Sequence, residues 1–239
     1  MLPLLLREPV ILAKQLSTLD YLSAGRVVLG AGLGIRDEVS AVKHMPYSGA
    51  RMDEMLRLMK LLWTQRSAEF SGRFYEVKGS SSYKAGMEPK PLQDGGPKIL
   101  IAGDSDAALR RAARNDGWIE YVGTDPVRFG ECWNKLREYS KLLGKDPSSL
   151  EAAVLTYAYV GSSTENAKAS CEYYLTRYFG QPWENIVKRT IIGTPTECVE
   201  RTRQFVDAGA RTIILGLPVF DVEQLELFYR EIMPAFIAR

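Results

Sequence analysis

Arg26-Val-Val-Leu-Gly-Ala-Gly-Leu-Gly34 is an apolar run that ends in glycines at alternate positions. An unbroken apolar run of this length, bounded by glycine, reads as a strand buried on both faces and opening into a glycine-rich mouth. Upstream, Pro9 suits a first helical turn, and Val10, Leu12, Ala13, Leu16, Leu19 and Leu22 follow at mostly helical spacing up to Ala24-Gly25. Downstream, Ser48 to Glu54 opens a helix that carries Met55, Leu58, Met59, Leu62 and Trp63 inward. Helix, buried strand, helix is the unit of a parallel α/β fold.

The same alternation continues. Lys98-Ile-Leu-Ile-Ala-Gly103, Trp118 to Val122, Leu150 to Val160 and Thr212 to Leu217 read as further strands. Helices are expected after Asp104-Ser105 and over Pro126 to Leu143, Thr164 to Phe179, Glu197 to Ala208 and Val222 to Ile237. About five strands separated by helices predict a parallel sheet with helices outside. Residues 67–97 form a long excursion that contains Phe70-Ser-Gly-Arg-Phe-Tyr75, a hairpin candidate, and a stretch rich in Ser, Gly and Pro. With no linker in view, 1–239 is expected to be a single domain.

The 31 basic and 29 acidic residues of the 239 leave a net charge of +2, which offers no broad field to nucleic acid or anionic lipid. The start Leu2-Pro3-Leu4-Leu5-Leu6 lacks a basic leader and a small-residue cleavage pattern, and no run reaches the roughly 18 apolar residues of a membrane helix. A cytoplasmic protein without membrane or nucleic-acid partners is expected. Cys132, Cys171 and Cys198 lie far apart and read as reduced packing thiols; no metal site is expected.

Two strand ends carry small residues where the chain turns into a helix: Gly30-Ala-Gly-Leu-Gly34 and Ala102-Gly-Asp-Ser105. In parallel α/β folds such ends form the ligand face. Glycine lets backbone N–H groups approach a phosphate, and the next helix start favours its charge. Tight turns need glycine and a capping Ser or Asp in any case. Thr124 is either a donor at the same face or an N-cap before Asp125-Pro126. Gly30-x-Gly-x-Gly34 does not have dinucleotide-fingerprint spacing. His44 is the only histidine and stands in a polar loop, a bystander more readily than a base. Arg51, Asp53 and Glu54 sit at a helix start, where the carboxylates suit the dipole. No catalytic triad or cluster is visible.

A longer series of fragments resembles the luciferase-like monooxygenases. It begins with Arg7-Glu-Pro-Val-Ile-Leu-Ala-Lys14, Thr18-Leu-Asp20, Leu22 to Gly34, and Arg51-Met-Asp-Glu54 with Leu62-Trp63. It continues through Phe70 to Tyr75, Pro89-Lys-Pro-Leu-Gln93, Pro97 to Gly103, Ala112-Ala-Arg114 and Asp116-Gly-Trp118. Ile192-Gly-Thr-Pro195, Ala208-Gly209 and Met233-Pro234 close it. Together the fragments span nearly the whole chain in order.

The resemblance implies a (β/α)8 TIM barrel that binds FMN or the deazaflavin coenzyme F-420 at its C-terminal mouth. Members of the family pass hydride to or from the coenzyme, or use reduced flavin and oxygen to oxidise a small organic substrate. By position, Gly32 and Gly34 match the segment against the coenzyme, and Ala102, Gly103 and Ser105 the segment at its phosphate end, with Thr124 a further donor. The wording around Arg51 to Glu54 and Pro89 to Pro91 is closer to the deazaflavin branch. In that family three strands and two helices precede the helix at Pro9, so a partial barrel is expected, lacking about 90 residues at roughly 30 per unit. Five strands do not close a barrel. The strands at Val27 and Ile213 would then be open edges that invite a partner chain, such as a homodimer mate. A truncated product, an upstream start, or a fold completed by a partner are the alternatives. The corresponding functional alternative is a non-catalytic flavin-binding or interaction protein.

Overall fold

The computed structural model describes residues 1–42, 47–78, 87–121, 123–219 and 221–237. The chain divides into two compact units, Met1–Gly117 and Trp118–Arg239. Both are α/β, with mostly parallel strands.

The first unit starts with β1 (Leu2–Pro3), a 3-10 turn at Leu4–Leu6 and α1 (Pro9–Leu22). Next come β2 (Val28–Gly32), α2 (Arg36–Val42) and α3 (Gly49–Thr64). A hairpin of β3 (Phe70–Ser71) and β4 (Glu76–Val77) precedes β5 (Lys98–Ala102) and α4 (Asp106–Arg114). β2 lies parallel between β1 and β5, with Ala31 opposite both Leu2 and Ile101. The expected open edge at Val27 is therefore partly covered: β1 pairs at Ala31 and Gly32, while Val28 stays exposed. A two-residue strand is too short to show any alternation in sequence, so it escaped the reading.

The buried face of α1 also differs from the apolar pattern. It consists of Pro9, Leu12, Ala13, Leu16, Ser17 and Asp20, whereas Val10, Leu19 and Leu22 are exposed. Polar groups can be buried there because they have partners. The Asp20 carboxylate accepts from the backbone N–H groups of Leu92 (2.9 Å) and Gln93 (3.0 Å) and from the Gln93 side chain (2.6 Å). Ser17 donates to the carbonyl of Pro89. Lys90 Nζ donates to the carbonyls of Leu62 (2.8 Å) and Gln65 (2.7 Å), where the last turn of α3 leaves carbonyls without helical donors. The far end of the long excursion is thus strapped to α1 and α3 by polar contacts.

The second unit begins within β6 (Gly117–Tyr121), at Trp118, and contains α5 (Pro126–Leu142), β7 (Glu151–Val160) and α6 (Thr164–Phe179). It continues with α7 (Trp183–Ile186), β8 (Ile191–Gly193), α8 (Pro195–Asp207), β9 (Thr212–Gly216) and α9 (Val222–Leu227). β7 changes partner along its length. Ala153 to Tyr157 pair in parallel with β9, and Ala158 to Val160 pair in parallel with β8. Trp118, Phe129 and Phe205 form an aromatic core, with centroids 4.8 Å and 6.1 Å apart. Each such ring contributes about 1.5–3 kcal/mol by leaving water. β9 pairs with no other strand among the described residues, and Ile214 and Leu215 are exposed. α8 starts two residues before the expected Glu197, because Thr194 and Glu197 form a reciprocal capping box around Pro195. The last helix ends early, passing into a π turn at Phe228–Ile232 and a 3-10 turn at Met233–Ala235.

Candidate functional site

The carboxyl ends of β2 and β5 lie side by side in the first unit, as their parallel register requires. A Cβ placed on Gly32 would stand 3.6 Å from the Ala102 Cβ, so the two segments singled out in the sequence meet at this point. Gly34 has φ +92°, and a side chain there would press on Pro3 and Val39 at 3.0 and 3.2 Å. Its carbonyl accepts from Tyr47 Oη at 3.1 Å, and the Arg36 guanidinium lies 4.6 Å from the Tyr47 ring centroid. Gly103 turns the chain out of β5 with φ +107°, a region costly to any residue with a Cβ.

Ser105, not Asp104, caps α4: its hydroxyl oxygen accepts from the Ala108 N–H at 3.3 Å. That bond uses a lone pair and leaves the hydroxyl hydrogen for another acceptor. Asp106 in the first turn is paired with Arg110 at 2.9 Å, which offsets the negative charge beside the helix start.

Thr124 belongs to the second unit. The cap of α5 is Asp125, whose carboxylate accepts from Arg128 N–H at 2.9 Å, so Thr124 is not an N-cap. Thr124 is 3% exposed and its Oγ1 has no hydrogen-bond partner. It lines a cavity of about 350 Å³ together with Gly123, Arg128, Gln181, Lys188 and Arg189. The three cations escaped the sequence reading because they lie some sixty positions apart on different elements. The adjacent pair Lys188-Arg189 just before an apolar strand was the one local signal.

The remaining charged candidates are structural. Asp53 holds Arg111 through two bonds, 2.6 and 3.1 Å, tying α3 to α4. Glu54 reaches the hairpin turn, where Arg73, Phe74 and Tyr75 donate backbone N–H groups to it at 2.7–3.0 Å. Arg51 is fully buried, with Nε on Tyr75 Oη at 3.0 Å and both terminal nitrogens without a partner. Asp116 acts as an end piece for β5, since its carboxylate accepts from Ile99 N–H at 2.8 Å and its own N–H donates to the Ile99 carbonyl. His44 lies outside the described residues. The three cysteines are buried and free. Among the described residues no group of three metal-ligating side chains comes together, and no helix is long and apolar enough to cross a membrane.

Each unit, taken by itself, carries one feature that suits an anionic ligand. The strand ends at Gly32 and Ala102 present little side chain, so a ligand can approach the backbone. Thr124 Oγ1 is a buried donor lacking an acceptor, in a cavity lined by three cations and the Asp125 carboxylate.

Comparison with known proteins gives one consistent answer. A protein of Mycobacterium tuberculosis is 34% identical over 146 residues, which is 60% of this chain and 48% of that protein. That match spans about half the relative's length. The FMNH(2)-dependent dimethylsulfone monooxygenase of Pseudomonas putida is 27% identical, covering 95% of this chain and 70% of the relative. The solved structure of an F420-dependent secondary alcohol dehydrogenase in complex with an F420-acetone adduct superposes with a TM-score of 0.81 at 22% identity. That superposition covers 97% of this chain and 76% of the other, and it agrees in fold. The family model for luciferase-like monooxygenases matches residues 1–212, and the chain belongs to that family.

Proposed function

We propose that this chain is the coenzyme-binding part of a luciferase-like oxidoreductase that acts on a small organic substrate with FMN or, preferentially, the deazaflavin coenzyme F-420. The observation that carries the reading is the meeting of Gly32 and Ala102 at the carboxyl ends of two parallel strands, directly before the positive-φ turn at Gly103. The names of the relatives support both coenzymes. The preference for the deazaflavin rests on the wording of Arg51 to Glu54 and Pro89 to Pro91. On this reading the seven strands β1, β2 and β5 to β9, where the sequence suggested about five, belong to a (β/α)8 barrel.

When bound, the coenzyme supplies hydride to the substrate, or as reduced FMN supplies electrons for an oxygen-dependent oxidation. The protein's own residues bind and orient it. Gly32 and Gly34 leave room at the backbone, and Ala102 keeps the neighbouring strand end small. Gly103 turns the backbone toward the start of α4, whose helix dipole favours an anionic group. Ser105 and Thr124 each bring a hydroxyl hydrogen free to donate.

Titration with FMN and with F-420, followed by absorbance and fluorescence, tests the reading. Saturable binding of one of them that Gly103→Val weakens at least tenfold, with an unchanged circular dichroism spectrum, is the expected result. Binding without turnover on addition of a reductant would favour the non-catalytic alternative, and no binding of either coenzyme would refute the proposal.

A further inference from the structure

The second unit gathers tyrosines at the carboxyl ends of its strands. Tyr121 is the last residue of β6, and Tyr157 lies in the second half of β7. Tyr174, Tyr178 and Phe179 come from the last turns of α6, and each places its ring edge-on to Tyr157 with centroids 6.3, 6.0 and 5.8 Å away. Tyr174 and Tyr178, one helical turn apart, stack at 5.8 Å and 14°. The Tyr121 and Tyr178 hydroxyls are 2.8 Å apart.

Tyr157 and Phe179 pack against the core that holds α6 in place, but Tyr174 and Tyr178 do not belong to it. Its anchoring stripe is Ala167, Cys171 and Leu175, packed with Trp183, Ile186 and Ile192. Tyr174 and Tyr178 project from another side and remain 42% and 51% exposed, and Tyr121 38%. The hydroxyls add a count of protons. The Tyr157 hydroxyl also bonds that of Tyr178, and three phenols whose two mutual bonds use two of their three hydrogens keep one O–H to donate. The hydrogen bond to Tyr178, with burial, pushes Tyr121 up to about 12, and burial raises Tyr157 as well, so both phenols stay neutral in ordinary buffers.

We infer that Tyr121, Tyr157, Tyr174 and Tyr178 form a substrate-recognition wall for a neutral ring compound that carries a hydrogen-bond acceptor such as a carbonyl. The rings of Tyr157 and Tyr174 receive the flat apolar part, and the hydroxyls donate to the acceptor. Arg189 lies over the Phe179 ring, 5.9 Å from its centroid, but its guanidinium donates to Asn185 and Gln181, so the hydroxyls are a neutral donor edge that gives a carboxylate no advantage. The inference rests on the oxidoreductase reading for its meaning, and it names the class of molecule that reading left open.

The test uses the whole chain without coenzyme and three one-ring probes: acetophenone, ethylbenzene and benzoate. Saturation-transfer NMR titrations should show acetophenone binding saturably and about three- to tenfold more tightly than ethylbenzene, the worth of one neutral hydrogen bond. Benzoate should bind no better than ethylbenzene. The triple variant Tyr121→Phe/Tyr157→Phe/Tyr178→Phe keeps the rings and should bring acetophenone down to the level of ethylbenzene. Tyr174→Leu should weaken both by a similar factor. Carbonyl-labelled acetophenone should shift downfield on binding to the unaltered chain, a readout that needs no variant. Absence of saturable acetophenone binding, or an acceptor preference that survives the triple variant, would overturn the inference. So would a change of sedimentation with Tyr174→Leu, which would mark the rings as an interface between copies. Loss of coenzyme binding with acetophenone binding intact would overturn only the coenzyme reading.

Discussion

Gln224 and Val160 exchange two hydrogen bonds: Val160 N–H donates to Gln224 Oε1 at 2.7 Å, and Gln224 Nε2 donates to the Val160 carbonyl at 3.0 Å. The side-chain amide of α9 thus serves as an extra strand partner at the end of β7. Gln224 is 4% exposed, so water does not replace it. Gln224→Leu should cost about 2–4 kcal/mol, because two buried backbone groups lose their partner. Urea denaturation followed by circular dichroism measures the loss, and a cost below about 1 kcal/mol would show that these bonds contribute little.

Asp20 carries a pH dependence. Burial alone would raise its pKa, but the N–H groups of Gln93 and Leu92 and the Gln93 side chain outweigh it and hold the carboxyl below its ordinary 3.8. A depressed folded-state pKa adds stability that is complete above the unfolded value and disappears as pH falls through the folded value. Asp20→Asn should therefore destabilise the chain by about 2–4 kcal/mol at neutral pH. It should also flatten the loss of stability below pH 4, as read from melting temperatures across an acid series.

Glu54 accepts three backbone N–H groups, and an amide in its place turns an NH₂ toward one of those donors. Glu54→Gln should cost about 2–3 kcal/mol and loosen the hairpin. Limited trypsin digestion would detect this as faster cleavage at Arg73.

Gly32 and Gly103 should respond differently to alanine. A Cβ on Gly32 meets Ala102 at an ordinary 3.6 Å, whereas Gly103 combines its Cβ contact of 3.4 Å with φ +107°. Gly32→Ala should leave stability within about 1 kcal/mol, while Gly103→Ala should lose about 1–3 kcal/mol to backbone strain. Thermal melts of the two variants side by side decide the point.

Burial pushes the Cys171 thiol up to about 12, and burial together with Glu197 does the same to Cys198. Neither should react with a disulfide reagent at pH 8 in the native chain, and both should react once urea opens it. Rapid labelling without denaturant would contradict their placement.

Five strands were readable because each is an apolar run that ends near glycine or a capping residue, and β2, β5, β6, β7 and β9 lie where those runs are. Thr164 to Phe179 was read to the residue, since Ser163 caps its start and Gly180 adopts φ +62° after its end. The parts that could not be read depend on distance in sequence. Asp20 finds Gln93 across 73 positions, and the cations beside Thr124 come from separate elements. β8 is three residues long and α2 is mostly polar, so neither carries a period.

The change of partner along β7 gives the region from Gly161 to Thr190 an independence of its own. It leaves β7 three residues after β9 pairing stops at Tyr157, the chain returns as β8 beside those three residues, and the interior is closed by Cys171, Leu175, Trp183 and Ile186. Such a region is an exchangeable cassette. A change of length between the two ends leaves the bonds of β9 to β7 intact, so this region can vary without disturbing that pairing.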